Sequence, residues 1–396
     1  MAAPRTTTAL VVPQVNGQFE LQEVQLNDIQ PDEVLVEIEA SGICHTDLSC
    51  AIGLLPCRPG AVLGHEGAGK VLSVGSSSTT HLSPGDSVLL SFSHCESCPP
   101  CLSGHPAYCL SFHVRNFSGT RPLPCHPDGT VDSSSLQGNP FTDPSYSTFL
   151  TKSDGKPIFS HFFGQSSFAR HTLVHKSCCV KVPPETNLAL FAPMGCGMQT
   201  GAGAVLNSLG VKPGSSIAVF GVGSVGMAAV MAAAHIAKAK TIIAIDLQAS
   251  RLDMAKKLGA THAVVGGDVK DLKAEVRRIC PPVGVDYAVD CTGSVGVIKT
   301  MIEVLGTRGR AATVGASGFG KEVGVDVMEH LAYGKEYVGS CEGDSLPKEF
   351  IPFLIEQHAK GNFPMDQFVT FYHFKEHKQA LEDSHNGKAI KAVLRW

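Results

Sequence analysis

The chain lacks a surplus of positive charge. Its 32 Lys and Arg stand against 36 Asp and Glu, a formal net charge of -4 over 396 residues, so nothing is available for gripping phosphate backbones or anionic lipid. Nucleic acid and membrane surfaces are thereby disfavoured as main partners. Residues 1–14, with a single Arg and no apolar core followed by a small-residue cleavage site, do not read as a secretory signal. The 14 cysteines are therefore expected to be reduced, in a cytoplasmic protein, where thiol clusters mean metal or catalysis rather than disulfides. No internal repeat of roughly 20 to 50 residues recurs. One uncharged run, 217–237, is long enough to span a bilayer, but glycines break its first half and an Ala/Met run follows, so it reads as strand, turn and helix.

What is present is a globular chain, 43% hydrophobic and 17% charged, long enough for two or more domains. From residue 8 to about 91, short β-rich runs (33–39, 69–74, 87–91) alternate with turns such as Ser83-Pro84-Gly85-Asp86, the pattern of an antiparallel β domain. Residues 110–160 are rich in Ser, Pro, Gly and Asp with little periodicity and read as a long surface excursion. After Pro183-Pro184 strands alternate with helices: 216–220, 224–237, 241–245, 285–289, 295–305, 311–315 and 336–339. Alternation of this kind builds an α/β fold, a doubly wound parallel sheet with helices on both faces.

Gly221-x-Gly223-x-x-Gly226 follows an apolar strand, opens a helix, and is followed by Asp246 at the end of the next strand. Context of this kind turns three glycines into a dinucleotide fingerprint. Gly221 permits the tight turn, Gly223 lets a pyrophosphate approach the helix's positive end, and Gly226 allows close helix-to-strand packing. Asp246 would bond a ribose diol and repel a 2′-phosphate, which favours NAD over NADP; Arg251, five residues on, is read as a further cofactor-binding residue. The plainer alternative is a glycine-rich turn without a nucleotide.

Cys95, Cys98, Cys101 and Cys109 place four thiols within fifteen residues. Tetrahedral zinc takes four such donors, and an all-sulfur shell is a structural site with no position left for substrate. An iron–sulfur run would bring its last cysteine sooner, followed by proline, whereas Leu110 follows Cys109; disulfides or incidental thiols remain the other readings. Cys44 in Gly42-Ile43-Cys44-His45-Thr46-Asp47, His65 in Gly64-His65-Glu66-Gly67 and Cys196 in Gly195-Cys196-Gly197 mean little on composition alone, since a lone Cys or His is more often a packed core residue.

Together, these motifs resemble, in order and approximate spacing, the zinc-dependent alcohol dehydrogenases of the medium-chain dehydrogenase/reductase family, over essentially the whole chain. The resemblance implies a GroES-like catalytic domain (1–192 and 344–396, with a structural-zinc lobe at about 92–115) and an inserted Rossmann NAD-binding domain (193–343). It assigns Cys44, His65 and Cys196 to a catalytic zinc, and Cys95, Cys98, Cys101 and Cys109 to a structural one. Asp47 becomes the support of the zinc-bound histidine, Glu66 a nearby acid, and Thr46 the hydroxyl that accepts the alcohol proton. His45 and Lys391 become basic contacts to the cofactor phosphates, with solvated surface residues as the alternative. Two thiolates and a neutral imidazole balance zinc's charge and leave one position open, which suits Lewis-acid activation of an alcohol or aldehyde oxygen. Many members place a histidine three residues after the relay hydroxyl. Here Ser49 stands there, and serine is no base near neutral pH.

A narrower resemblance, to the aryl-alcohol (benzyl-alcohol) dehydrogenase branch, is carried by Phe162-Phe163-Gly164-Gln165-Ser166-Ser167-Phe168-Ala169 and Cys341-Glu342-Gly343-Asp344-Ser345. It makes Phe92, Phe162 and Phe163 candidate walls of an apolar substrate pocket, against the alternative of core packing. The expected activity is oxidation of a primary, aromatic or bulky alcohol to its aldehyde, or the reverse, by a homodimer or homotetramer holding two zinc ions per chain. A glutathione-dependent formaldehyde dehydrogenase, a non-enzymatic zinc-and-nucleotide-binding protein and a nucleic-acid-binding zinc module are the competing readings; the acidic balance disfavours the last.

Overall fold

The structure, a computed structural model, describes residues 6–56, 58, 60–76 and 82–396. They divide into two compact units: the chain up to Cys196 with Leu346–Pro352 and Val369–Trp396, and Gly197–Ser345 with Phe353–Phe368. The sequence reading gave all of 344–396 to the first domain; in the structure 353–368 clusters with the second unit.

The first unit is built on two sheets. One runs, in spatial order, Ala61–Val62, Thr6–Val12, Glu20–Leu26, Phe149–Thr151 and Pro157–Ile158. The other runs Cys179–Val182, Ser87–Leu90, Gly67–Val74, Glu33–Gly42, Lys391–Arg395 and Val369–His373, with His171–His175 also pairing to Glu33–Gly42. Alternate residues Val34, Val36 and Ile38 share one face of the pleat and pack with Val71, Val88, Leu90 and Val174 to form its core. Near the end of the chain, Val393 lies opposite Gly42, so the last strand closes the sheet beside the residues that lead into Cys44.

The second unit is a six-stranded parallel sheet. Its spatial order is His262–Val265, Thr241–Asp246, Ser216–Phe220, Val285–Asp290, Leu305–Thr313 and Glu336–Gly339. Numbered along the chain this is 3-2-1-4-5-6, the doubly wound Rossmann order, whose switch point lies between the strands Ser216–Phe220 and Val285–Asp290. Strands of a parallel sheet are buried on both faces, and Ile217, Ala218, Val219 and Phe220 are all buried. The uncharged run 217–237 is such a strand plus the helix Ser224–Met231 and one wider turn, Ala232–Ile236. No described helix is long and apolar enough to cross a membrane.

Residues 110–160 are more ordered than a surface excursion. They contain the helix Phe112–Phe117 and two short strands, and Phe149–Thr151 joins the first sheet against Glu20–Leu26. Arg121 is buried in an ion pair with Glu33, its Nε 2.7 Å from Oε1 and its NH2 2.9 Å from Oε2. Elements of two to six residues are too short to leave a hydrophobic period in the sequence, which is why they went unread.

Candidate metal and nucleotide sites

In the first unit, Cys44, His65 and Cys196 arrive from three separate segments, and their ligand atoms lie within 4.8 Å of one another. Asp47 organises two of those segments. Its Oδ2 accepts the Cys44 amide at 3.0 Å, while its Oδ1 accepts the Gly64 amide at 3.0 Å and faces His65 Nδ1 at 3.0 Å. A proton on Nδ1 directed at this carboxylate leaves the Nε2 lone pair for a metal. Among the described residues Nε2 has no hydrogen-bond partner although it is buried, which is what a metal-facing nitrogen requires.

The third segment is held by close backbone packing. A side chain at Gly195 would collide with the Leu90 carbonyl, 1.8 Å from the Cβ position, and the Ser91 hydroxyl donates to the Gly195 carbonyl at 2.7 Å. Gln165, fully buried, ties the segments together: its Nε2 donates to the carbonyls of His65 and Ser91, both at 2.9 Å, and its Oε1 accepts the Gly67 amide at 3.1 Å. Nothing in the sequence assigns Gln165 this role. Its only signal was an amide side chain inside an otherwise apolar and small-residue run.

Electrostatically this pocket is made to hold positive charge. A hydrogen bond from Cys196 outweighs burial and draws the Cys44 thiol well below its ordinary value. Burial pushes His65 down, but the Asp47 carboxylate and the Cys44 sulfur outweigh it, so the ring is held well above the usual histidine range. A divalent cation meets the same demand that a proton on His65 would.

Around Cys95 the four sulfurs converge within 4.8 Å. The Sγ atoms stand 3.4 Å apart for Cys98–Cys101 and 3.9 Å apart for both Cys95–Cys101 and Cys98–Cys109. Disulfides would need ~2.05 Å, whereas sulfurs at ~2.3 Å from a tetrahedral zinc stand about 3.8 Å apart. Amides point at the sulfurs, Cys98 N at Cys95 Sγ and Cys95 N at Cys109 Sγ. Burial and its neighbours push Cys109 up to about 11, while Cys95, despite burial, is drawn to about 6 by the Ser97 hydroxyl and amide. Four thiols this close cannot all ionise by themselves, and a divalent cation removes the conflict. Both donor sets fit zinc.

In the second unit the glycine loop does three different things. Gly221 sits at φ +81°, where a Cβ would also strike Thr292 Cγ2 at 2.6 Å; a Cβ on Gly226 would meet the Gly221 carbonyl at 2.0 Å; the Cβ position of Gly223 faces open space. The turn is therefore tight at its two ends and open in the middle, where a pyrophosphate would approach the helix N-terminus. Asp246 Oδ2 accepts the Val222 amide at 2.8 Å and Oδ1 the Gln248 amide at 2.9 Å. Each oxygen keeps a second lone pair for a ribose hydroxyl. Arg251 NH1 lies 3.9 Å from Asp246 Oδ2. These features fit a nicotinamide dinucleotide.

Two expectations are corrected. Lys391 is not available to a phosphate: it is 2% exposed, and its ammonium donates to both Glu66 oxygens at 2.9 Å and to the Ile43 carbonyl at 3.0 Å. Burial disfavours that ammonium, yet the Glu66 carboxylate outweighs burial and holds it above its ordinary value. Glu66 in turn occupies the space where a Gly42 Cβ would stand. Phe92 and Phe162, at 1% and 0% exposure, offer no free face as pocket walls. They are packing: Phe92 lies 5.7 Å from Phe112, and Phe162 meets His65 edge-on at 5.4 Å. Phe163 stacks on the His65 ring at 4.5 Å and 25°. His45, by contrast, is exposed at the start of the helix His45–Ala51.

Zinc-ligand geometry in a GroES-like β unit and a dinucleotide loop on a Rossmann sheet define a class, and this chain belongs to it: it is a member of the zinc-dependent alcohol dehydrogenase family. Residues 30–135 match the alcohol dehydrogenase GroES-like domain, and residues 224–358 match the zinc-binding dehydrogenase domain. Among its relatives is the geraniol dehydrogenase of Castellaniella defragrans, 36% identical over 386 residues, 98% of this chain and 96% of that one. An S-(hydroxymethyl)glutathione dehydrogenase of Escherichia coli is 33% identical over 387 residues, 96% of each. The crystal structure of benzyl alcohol dehydrogenase from Acinetobacter calcoaceticus superposes with a TM-score of 0.87 at 39% identity, over 99% of both chains. The chain is accordingly an oxidoreductase that interconverts an alcohol and its carbonyl compound with zinc and a nicotinamide cofactor.

Proposed function

We propose that the substrate is a primary alcohol whose carbinol carbon carries an aromatic ring or another bulky unsaturated group, oxidised to the aldehyde with NAD, or formed from it with NADH. The convergence of Cys44, His65 and Cys196 around an unpartnered, Asp47-oriented imidazole carries the chemistry. Support for the substrate class comes from the similarity to a benzyl alcohol and a geraniol dehydrogenase. Both of those alcohols place a π-system next to the carbinol, so the aldehyde product is conjugated.

When bound, zinc supplies Lewis acidity to the alcohol oxygen and the nicotinamide supplies a hydride acceptor. The chain's own residues then have distinct duties. Asp47 holds His65 in one tautomer. The Thr46 hydroxyl, 3.7 Å from Cys44 Sγ, takes the alcohol's proton. Ser49 is buried and passes no proton onward as a base, so Thr46, on taking the alcohol's proton, releases its own toward water. Glu66 neutralises Lys391 beside the Cys44 segment. Phe163 stacks one face on His65 and bounds the substrate's side of that ring, backed by Phe162.

A flat ring buried near the metal gains about 25 cal/mol per Å² of apolar area, which ethanol is too small to collect. kcat/KM for benzyl-type alcohols is therefore expected to exceed that for ethanol by at least ~100-fold, since ~3 kcal/mol of differential binding corresponds to that ratio. Steady-state rates on a panel of ethanol, benzyl alcohol and geraniol decide it, and equal efficiencies would contradict the aromatic assignment. A second reading, glutathione-dependent formaldehyde oxidation, is favoured by the E. coli relative; strict dependence on added glutathione would select it.

Cofactor choice rests on Asp246, whose charge repels a 2′-phosphate. The wild type is expected to use NAD with the higher kcat/KM, and Asp246→Ser to shift the ratio toward NADP by roughly 10-fold or more, because one pairwise charge repulsion is relieved. A native preference for NADP would overturn it. We further propose a cytoplasmic homo-oligomer. All thirteen described cysteines are unbridged, and the helix Val327–Tyr333 exposes Val327, Met328 and Leu331 at 67–72% beside the edge strand Glu336–Gly339, a surface suited to pairing two copies.

A further inference from the structure

After the last strand of the parallel sheet, Glu336–Gly339, the chain makes a turn in which three successive residues are left-handed: Glu342 at φ 47°, Gly343 at φ 68° and Asp344 at φ 47°. Only the glycine adopts that conformation readily, so two non-glycine residues are held there against their preference by the surroundings. The clamp is the helix Gly197–Gly203. A Cβ on Gly343 would meet the Gln199 carbonyl at 2.4 Å, and a Cβ on Gly203 would meet the Gly343 carbonyl at 2.2 Å. The Asn207 amide donates to the Gly343 carbonyl at 3.1 Å and to the Asp344 carbonyl at 3.2 Å. In this turn Glu342 Oε2 accepts from Gln199 Nε2 and from Thr200 Oγ1, each at 3.4 Å.

The location gives the strained turn a purpose. The same helix abuts the fingerprint helix, since a Cβ on Gly201 would strike the Val225 carbonyl at 2.0 Å and approach Ala228 Cβ at 2.9 Å. Dinucleotides lie across the carboxyl ends of the strands, one half on each side of the switch point. Asp246 marks the adenosine side, at the end of Thr241–Asp246. The turn 342–344 follows the last strand on the opposite side, the nicotinamide half, and its clamping helix begins directly after Cys196. A carboxylate in this turn would stand on the side of the sheet taken by the half of the cofactor that changes charge: the oxidised ring is cationic and the reduced ring neutral.

We propose that Glu342 selects the redox state of the bound cofactor, its carboxylate stabilising the cationic nicotinamide of NAD+ over the neutral ring of NADH. Gln199 and Thr200 are its positioning residues, because their donors fix the carboxylate rather than touching the reacting carbon. This inference rests on the NAD reading above. It is distinct from the Asp246 interaction, which is the same for both redox states. A unit charge at a partly shielded site is worth about tenfold in an equilibrium constant.

The test is a pair of binding constants on zinc-loaded protein: NADH by its fluorescence on binding, NAD+ by competition against it. In Glu342→Gln the Kd for NAD+ is expected to rise by about tenfold while that for NADH stays within about twofold, with Glu342→Asp, which keeps the charge, retaining most of the NAD+ preference. Equal weakening of both forms in Glu342→Gln, or no change in either, would overturn the proposal, the first outcome marking a purely structural turn. Should Glu342→Gln fold poorly, Thr200→Val is expected to reduce the NAD+ preference in the same direction, and an unchanged ratio there would count against it. Failure of the wild type to bind either cofactor would instead remove the NAD reading itself.

Discussion

Cys196→Ser is expected to lower alcohol oxidation by at least ~1,000-fold while shifting Tm by less than about 2 °C, and Cys95→Ser to lower Tm by at least about 5 °C. The contrast follows from what each donor set does. Cys95, Cys98, Cys101 and Cys109 form a closed sulfur shell in a short segment whose regular structure is little more than the turns Pro99–Leu102 and Pro106–Tyr108. With so small a core of its own, that segment depends on the metal to hold it folded. Cys44, His65 and Cys196 instead sit among residues that other contacts already hold, Asp47 across two of their segments and Gln165 across His65 and Ser91. Losing one thiol there removes the Lewis acid's footing and leaves the sheets intact. Zinc content by elemental analysis should fall from two per chain to one in Cys196→Ser. A fully loaded wild type with a single zinc per chain would contradict both halves of the expectation.

Thr46→Ala is expected to lower kcat for alcohol oxidation by ~100-fold or more, with Ser49→Ala within about threefold of wild type. In the proposed relay the Thr46 hydroxyl, 3.7 Å from Cys44 Sγ, takes the alcohol's proton, and proton-transfer contributions of this kind are worth roughly 10² to 10⁴. Ser49 lies three residues further along the same helix, His45–Ala51, with its hydroxyl buried, so its loss leaves the proton's path unchanged. Ser49→His should raise oxidation at low pH, where a base at the outer end of the path speeds proton exit. If Ser49→Ala proved as damaging as Thr46→Ala, the relay would run through the serine and the assignment of Thr46 would fall.

Much of this architecture was legible in the residues. Strand and helix alternation after Pro183-Pro184 produced the parallel sheet because each strand is a short apolar run bounded by turn residues, and the fingerprint's context located the nucleotide loop. The four-cysteine run is local, so its spacing speaks for itself. Cys44, His65 and Cys196 are far apart in the chain, and only resemblance to a family joined them before the geometry did. What sequence could not reveal was partner choice inside the fold. Lys391 reads as a basic contact to the cofactor phosphates until the last strand pairs beside Gly42 and delivers its ammonium to Glu66. Phe162 and Phe163 read equally as pocket or core until the family resemblance makes them, with Phe92, pocket walls, and in the structure Phe92 and Phe162 are buried. Gln165 and Glu342 owe their positions to contacts about a hundred residues or more away along the chain, where no local period exists to flag them.

The most direct test of zinc- and NAD-dependent hydride transfer follows the hydrogen itself. Zinc-loaded enzyme is given NAD and benzyl alcohol deuterated at the carbinol carbon, and the reduced cofactor is analysed by mass spectrometry. One deuterium in NADH for every aldehyde formed is the expected result, lost when zinc is removed by a chelator and regained when it is restored. Aldehyde formed with unlabelled NADH, or labelling that persists without zinc, would contradict the account.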